Sequence, residues 1–334
     1  MHVLTCEIQN LALPAEIADQ ESVLTVGSFD GIHMGHQYLI RQLVAQAQQE
    51  GRLAGVVTFD PHPATVLHSD RPALYLSTPA EKANLLKQHA LNWLAIVPFS
   101  TALAATSPRA FVQDLYRGLN MRSLWVGTDF ALGQNRQGDI DALRHLGQQM
   151  GFDVREVHPV TLNGRRVSST AIRVLLQHGH VREAAQLLAR YYSISGPVTH
   201  GAKRGRDLGF PTANVDVPAD RVIPADGIYA ACAWLAAIRY HAVVNIGVRP
   251  TFDHGERSIE AYLLDFQRDI YGCHLVLEFV ARLRAERRFS NVQDLIAQMR
   301  QDVDQARHTL DAADKQPFWQ QPLTPLGVRE PAAK

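Results

Sequence analysis

From Ser22 to Val160 the sequence alternates between apolar runs of strand length and segments with helical period. Ser22–Phe29 (SVLTVGSF) predicts a buried strand ending in glycine, and His36–Gly51 predicts a helix with Tyr38, Leu39, Leu43, Val44 and Ala47 on one face and Gly51 as its stop. Leu53–Phe59, Trp93–Phe99, Ser123–Phe130 and Phe152–Val160 read as further strands. Pro79–His89 (capped by Thr78), Ser107–Leu119 and Asp139–Gly151 read as the helices between them. Strands and helices in this order imply a mainly parallel sheet with right-handed crossovers, which binds ligands at the carboxyl ends of its strands. The glycine-rich stretch Gly27–Gly35 lies at such an end.

After about residue 185 the pattern changes. Four strand-like stretches, around Tyr192, Gly227–Gly247, Ser258–Phe266 and His274–Arg284, follow one another with Gly, Pro and Asp turns and no helix between them. They predict an antiparallel sheet closed into a small barrel. Val292–Leu310 is an amphipathic helix, with Ser290 or Asn291 as its cap, and a proline-bearing tail from about Asp314 reads as an extended end. The expected division is 1–185, 186–313 and a tail at 314–334. A chain of 334 residues suits two domains, each with its own core.

Lys and Arg number 33, as do Asp and Glu, and no basic half or polybasic run exists to track a nucleic-acid backbone. Cys6, Cys232 and Cys273 are scattered and form no CxxC, which fits a reducing cytoplasm and argues against a disulfide framework. The N-terminal residues show no signal peptide, and no apolar run reaches the roughly 20 residues of a membrane helix. No stretch specifies an oligomer.

GSFDGIHMGH (Gly27–His36) has three readings: a turn with surface histidines, a metal site, or an anion site. A strand that ends in glycine and feeds a helix lets backbone N–H groups face negative charge, and Gly31 and Gly35 admit a ligand closely. Zinc needs a third and a fourth ligand, and the nearby DPHP offers only His62. In the second half, HGAKRGRDLGFPTANV (His200–Val215) sets Gly201, Gly205 and Gly209 among Lys203, Arg204 and Arg206, which suits a loop over phosphates. Pro211 then stiffens the backbone before Thr212 and Asn214, whose side-chain oxygens are of the kind that hold magnesium beside a nucleotide.

GSFDGIHMGH resembles the signature of the nucleotidylyltransferase superfamily, whose two histidines contact ATP phosphates. The superfamily's second motif, a Ser/Thr cluster with an arginine opening a late helix, is matched about 130 residues on by VSSTAIR (Val167–Arg173). VVTFDPHP (Val56–Pro63) and VGTDFALGQNRQGD (Val126–Asp139) are similar to the FAD synthetase module of the prokaryotic bifunctional riboflavin kinase/FAD synthetase family. Ala131 and Leu132 depart from it where the family carries an aromatic or basic residue. GFPTAN, VVNIGVRPTF (Val243–Phe252) and ARLRAERRF (Ala281–Phe289) resemble the riboflavin kinase module.

The resemblance implies a Rossmann-like nucleotidylyltransferase domain followed by a riboflavin kinase barrel. It places the ATP of adenylyl transfer at Gly27, Phe29, Asp30, Gly31, His33, Gly35, His36, Asp129, Ser168, Ser169, Thr170 and Arg173. It places ATP and flavin of the kinase step at Gly201, Lys203, Gly205, Arg206, Gly209, Phe210, Pro211, Asn245 and Arg284, with Mg2+ on Thr212 and Asn214 and Glu260 as base. Alternation points Glu260 and Tyr262 to one face of their strand. For Phe59 core packing is an equal reading, and for Arg284, Glu286 and Arg287 a solvated ion-pair cluster is nearly so. The implied partners are riboflavin, FMN and ATP, with FMN and FAD as products. A regulator that lost the chemistry and a monofunctional adenylyltransferase with a structural barrel are the alternatives.

Overall fold

In the computed structural model, which describes residues 1–67, 74–200, 208–248, 257–315 and 324–325, the chain begins β1 (His2–Thr5), β2 (Ser22–Val26), α1 (Met34–Gln49), β3 (Leu53–Asp60), α2 (Pro63–Leu67) and α3 (Pro79–Leu86). It continues β4 (Trp93–Pro98), α4 (Thr101–Ala104), α5 (Pro108–Gly118), β5 (Met121–Gly127), α6 (Ile140–Met150), β6 (Asp153–Val157), β7 (Val160–Leu162) and β8 (Arg165–Arg166). Then come α7 (Ser169–Gln177), α8 (Val181–Leu188), β9 (Tyr192–Thr199), β10 (Ala213–Val215), β11 (Gly227–Leu235) and β12 (Ile238–Val248). The last elements are β13 (Arg257–Leu263), β14 (His274–Arg284), α9 (Val292–Lys315) and β15 (Thr324–Pro325). Two compact units result: one comprises Met1–Ser168 together with the C-terminal stretch that carries β15, and the other begins at Ser169.

The first unit is a six-stranded parallel sheet in the order β1-β4-β3-β2-β5-β6. Successive side chains of a strand point to opposite faces, and here both faces are apolar. Trp93, Ala95 and Val97 of β4 join Phe111, Val112 and Leu115 of α5 and Leu143 and Leu146 of α6 in one core. Leu94 of β4 and Val56 of β3 face the other way and pack with Ile40, Leu43 and Ala47 of α1 and Leu86 of α3. Ile40 takes the core place expected for Tyr38, which is half-buried. Each fully buried Leu, Val or Ile contributes about 1.5–3 kcal/mol.

Side chains start these helices. Thr78 and Glu81 form a capping box at α3, Ser107 accepts the Ala110 N–H at α5, and Asp139 accepts the Ala142 N–H at α6. Two predicted strands are shorter than expected. β5 stops at Gly127, where the chain turns and the Phe130 N–H bonds back to Gly127 O. The predicted strand Phe152–Val160 is two, because Pro159 supplies no N–H for the ladder. β7 leaves the parallel sheet and pairs antiparallel with β8 and β15.

Gly55 of β3 stands beside Trp93 of β4, and a Cβ there would lie 2.0 Å from indole carbons. Gly55→Ala is expected to cost about 1–3 kcal/mol by overpacking, read as a lower denaturant midpoint for the first unit.

The second unit is a closed antiparallel barrel in the order β10-β13-β12-β11-β14-β9, closed by the β9–β10 pair. Tyr229 and Phe279 meet edge to face at 5.3 Å, and both are fully buried. β11 and β12 form the hairpin that the long run Gly227–Gly247 conceals, turning at Ala236 with φ +53. Asn291 caps α9, accepting the Asp294 N–H at 2.8 Å. α9 lays Ala306 and Leu310 against Ala230, Cys232 and Val280 of the barrel wall and runs on through Asp314 to Lys315, past the expected start of the tail.

Candidate active sites

The strand β2 ends at Val26, and the next residues form a loop with unusual backbone. Phe29 (φ 47), Gly31 (φ 77) and Ile32 (φ 38) all take left-handed conformations. For Phe and Ile this costs energy, and such geometry persists only where neighbours over-determine it. The Asp30 carboxylate, buried to 1% exposure, accepts the backbone N–H of Leu76 at 3.0 Å and of Ser77 at 3.1 Å. The Ser77 hydroxyl in turn accepts the Gly31 N–H at 3.0 Å. Asp30 thus ties the loop to the segment before α3.

His33 is the N-cap of α1. Its Nδ1 accepts the His36 N–H at 3.3 Å, and the two rings stack at 3.7 Å between centroids. The Phe29 ring lies 4.9 Å from that of His36 and covers the Cα of Gly27, where a Cβ would meet it at 3.1 Å. A Cβ on Gly35 would press the His33 ring at 3.1 Å. Sequence neighbours Gly27, Phe29, Gly31, His33, Gly35 and His36 therefore converge on one helix start, where N–H groups and imidazoles favour an anion. Among the described residues no group of three His, Cys, Asp or Glu side chains is placed to hold a metal ion.

Asp129, just past β5, is exposed and pairs with Arg166 at 2.8 Å, while its carbonyl accepts from Arg136. An exposed pair of this kind stabilises by about 0–1 kcal/mol. Leu132 is buried in the sheet core and bridges Gly138 through two backbone bonds, which explains an apolar residue there. Phe59 packs in the same core, edge to face on Phe99 at 5.4 Å. Ser168 belongs to the first unit, and Ser169, Thr170 and Arg173 open α7 in the second.

In the barrel, the register sets Asn214 of β10 and Asn245 of β12 on either side of Glu260 of β13. Directly paired residues share a sheet face, so the three polar groups form one row. The Thr212 hydroxyl lies 3.4 Å from a Glu260 carboxylate oxygen. Thr212, Asn245 and Glu260 face a cavity of about 290 Å³ walled by Leu208, Phe210, Ile228, Tyr262 and Phe289, with Leu295, Met299 and Val303 from α9. Phe210 meets Tyr262 edge to face at 5.4 Å, and Gly209 takes φ +86. Pro211 is exposed. Gly201, Lys203, Arg204, Gly205 and Arg206, and the stretch 249–252, lie outside the described residues.

Arg284 donates two hydrogen bonds to Asp302 of α9, at 2.9 and 2.7 Å, and Asp302 is buried to 3% exposure. It therefore clamps the helix that walls the cavity. Asp302→Ala should cost about 3 kcal/mol, the low end for a broken buried pair because Arg284 keeps some solvent access, and a thermal melt of the barrel checks it. Partial burial, with Asp226 nearby, pushes the Glu286 carboxyl up, against a hydrogen bond from Asn245. The sequence showed neither the Arg284 clamp nor the helix wall, although Leu295, Met299 and Val303 recur at helical spacing.

The FAD synthetase family model matches residues 15–171 and the riboflavin kinase family model matches residues 188–310. A bifunctional riboflavin kinase/FMN adenylyltransferase of Bacillus subtilis is 37% identical over 291 residues, covering 86% of this chain and 92% of the relative. The chain belongs to the bifunctional riboflavin kinase/FMN adenylyltransferase family. The Escherichia coli member of that name is 35% identical over 293 residues, covering 87% of this chain and 93% of the relative. A crystal structure described as a macrolide-efflux protein from Streptococcus pneumoniae superposes with a TM-score of 0.84 at 29% identity, over 92% of this chain and 99% of that one. Among the described residues no helix is long and apolar enough to cross a membrane. Within the family fold, the histidine pair falls inside the FAD synthetase match and the Asn214–Glu260–Asn245 row inside the riboflavin kinase match.

Proposed function

We propose that this protein makes both flavin cofactors by two ATP-dependent transfers. The barrel phosphorylates riboflavin to FMN, and the parallel-sheet unit adenylylates FMN to FAD with release of pyrophosphate. One observation carries this reading: the histidine pair lies within the FAD synthetase match and the Asn214–Glu260–Asn245 row within the riboflavin kinase match. The efflux named for the S. pneumoniae protein is not carried over, because both transfer motifs are present. We assign residues 1–185 to adenylyl transfer and the barrel with α9, from residue 186 on, to the kinase. What supports this border is that the two family matches end at 171 and begin at 188 on either side of it. We also place the protein in the cytoplasm, which suits three scattered cysteines that form no CxxC.

In the kinase step Glu260 takes the proton of the ribityl 5′-hydroxyl as that oxygen attacks the γ-phosphorus of ATP, and ADP leaves. Phosphoryl transfer of this kind is mostly positioning and electrostatics. Asn245 sits opposite the base in the register and fixes its side of the cavity. Phe210 and Tyr262 offer the apolar wall that a flavin ring needs. Thr212 and Asn214 present neutral hard oxygens beside the Glu260 carboxylate, a donor set that fits Mg2+. The ion, when bound, neutralises charge on the phosphates. Lys203 and Arg206, with Gly201, Gly205 and Gly209, keep the phosphate-loop role that their motif implies.

In the adenylyl step the FMN phosphate attacks the α-phosphorus of ATP. A phosphate monoester is already anionic at neutral pH, so no strong base is required. The site must instead hold two anions together. His33, His36 and the first N–H groups of α1 supply the donors for that. Ser168, Ser169, Thr170 and Arg173 keep the phosphate-binding role of their motif.

The test is a time course of purified protein with riboflavin, ATP and Mg2+. FMN appears first and FAD follows at its expense. Neither product, from folded protein that binds flavin, would favour the regulator.

A further inference from the structure

We propose that Lys82 is a positioning residue for adenylyl transfer: from inside the first unit it holds the Gly27–His33 loop in the conformation that presents the histidine pair. This rests on the reading of that loop as the adenylyl-transfer site.

Lys82 lies on α3 and is 6% exposed. A lysine this deep is uncommon and needs partners. Its Nζ donates to the Thr58 hydroxyl at 3.1 Å and to the Phe59 carbonyl at 3.3 Å, both near the carboxyl end of β3. The Thr58 hydroxyl passes the link on, donating to the carbonyl of Ser28 in the loop at 3.1 Å. The acidic groups that act on the ammonium are Asp30 and Asp60, and they oppose the burial that lowers its pKa. Asp30 is the carboxylate that accepts the Leu76 and Ser77 N–H groups, while Ser77 holds the Gly31 N–H. Two routes thus run from one helix to one loop. Lys82 reaches Ser28 through Thr58, and the segment before α3 reaches Asp30 and Gly31 directly.

The loop needs this support. Phe29 and Ile32 hold left-handed backbone, which relaxes once neighbours stop enforcing it. Relaxation would shift His33 and His36, which follow at once in the chain. Catalytic groups displaced by about 1 Å lose about 10²-fold in rate. The described reaction chemistry makes no other use of this cation.

The experiment compares Lys82→Met with Leu86→Ala, in the full chain and with FMN and ATP supplied. Leu86 is fully buried one helical turn further along α3, so its variant destabilises the same helix without touching the polar links. Riboflavin phosphorylation by the barrel is the internal control. For Lys82→Met the expected loss of FAD formation is about 10²-fold per folded molecule, in kcat, with KM for ATP within about threefold. Lys82→Arg, which keeps a cation, is expected to recover part of it. Leu86→Ala is expected to stay within about threefold. Equal losses in Lys82→Met and Leu86→Ala would overturn the proposal, as would a change in KM alone or normal turnover in Lys82→Met. If Lys82→Met does not fold, Thr58→Val decides: it cuts the link to Ser28 and keeps the lysine. A loss of about tenfold in kcat supports the proposal and an unchanged kcat refutes it. His36→Ala run alongside separates the failures, since loss in His36→Ala with normal Lys82→Met would leave the site reading intact and remove only the role of Lys82.

Discussion

Glu260→Gln is expected to lower riboflavin phosphorylation by about 10²–10⁴-fold, the worth of a general base. The glutamine keeps the size and one acceptor oxygen, so the row with Asn214 and Asn245 and the contact with Thr212 retain their shape. What is lost is the lone pair that takes the ribityl proton and one negative charge beside the proposed metal donors. ATP binding should therefore persist while turnover falls. FAD formation from supplied FMN should be unchanged, because Glu260 has no part in the proposed adenylyl-transfer site. Near-normal phosphorylation would remove Glu260 from the role of base.

His36→Ala is expected to lower FAD formation by about 10²–10³-fold, the loss seen when one pre-oriented donor to a developing anion is removed. His36 is the cleaner substitution of the pair. The His36 backbone N–H that His33 accepts survives the change, so the α1 cap remains. Removing His33 would take the cap with it and cost about 1 kcal/mol of helix stability in addition. Riboflavin phosphorylation should stay near its original rate and FMN should accumulate. Equal loss of both reactions would argue against separate sites.

Period and capping chemistry made most of the fold legible. The alternation of strands with helices announced a parallel sheet, and Thr78, Ser107 and Asp139 stood at helix starts that the structure keeps. Legibility failed where a residue's partner is distant in sequence. Asp30 reads as a ligand-facing carboxylate within its motif, yet its oxygens hold N–H groups 46 and 47 residues away. Lys82 sits on a short helix, and its burial makes sense only with the Thr58 and Phe59 oxygens and the Asp30 and Asp60 charges around it. Arg284 follows the same rule, since Asp302 lies on a helix that the strand pattern does not announce as its neighbour. Short elements escaped too: β10 has three residues and gains its ladder only from β9 and β13. The candidate site residues around His33 were readable as a group because they are contiguous, and the row through Glu260 only in part, because register across strands is not written in any one of them.

The most direct test of two separate sites linked by free FMN is complementation in one vessel. Glu260→Gln protein and His36→Ala protein are mixed with riboflavin, ATP and Mg2+, and FMN and FAD are followed by chromatography. Each variant alone should make little or no FAD. The mixture should make FMN and then FAD after a lag, because FMN released by the His36→Ala barrel is adenylylated by the Glu260→Gln chain. A mixture in which FMN never exceeds the amount of His36→Ala protein and no FAD forms, although the Glu260→Gln protein converts supplied FMN, would contradict release of the intermediate. A mixture that makes neither product would contradict the assignment of the two reactions to the two sites.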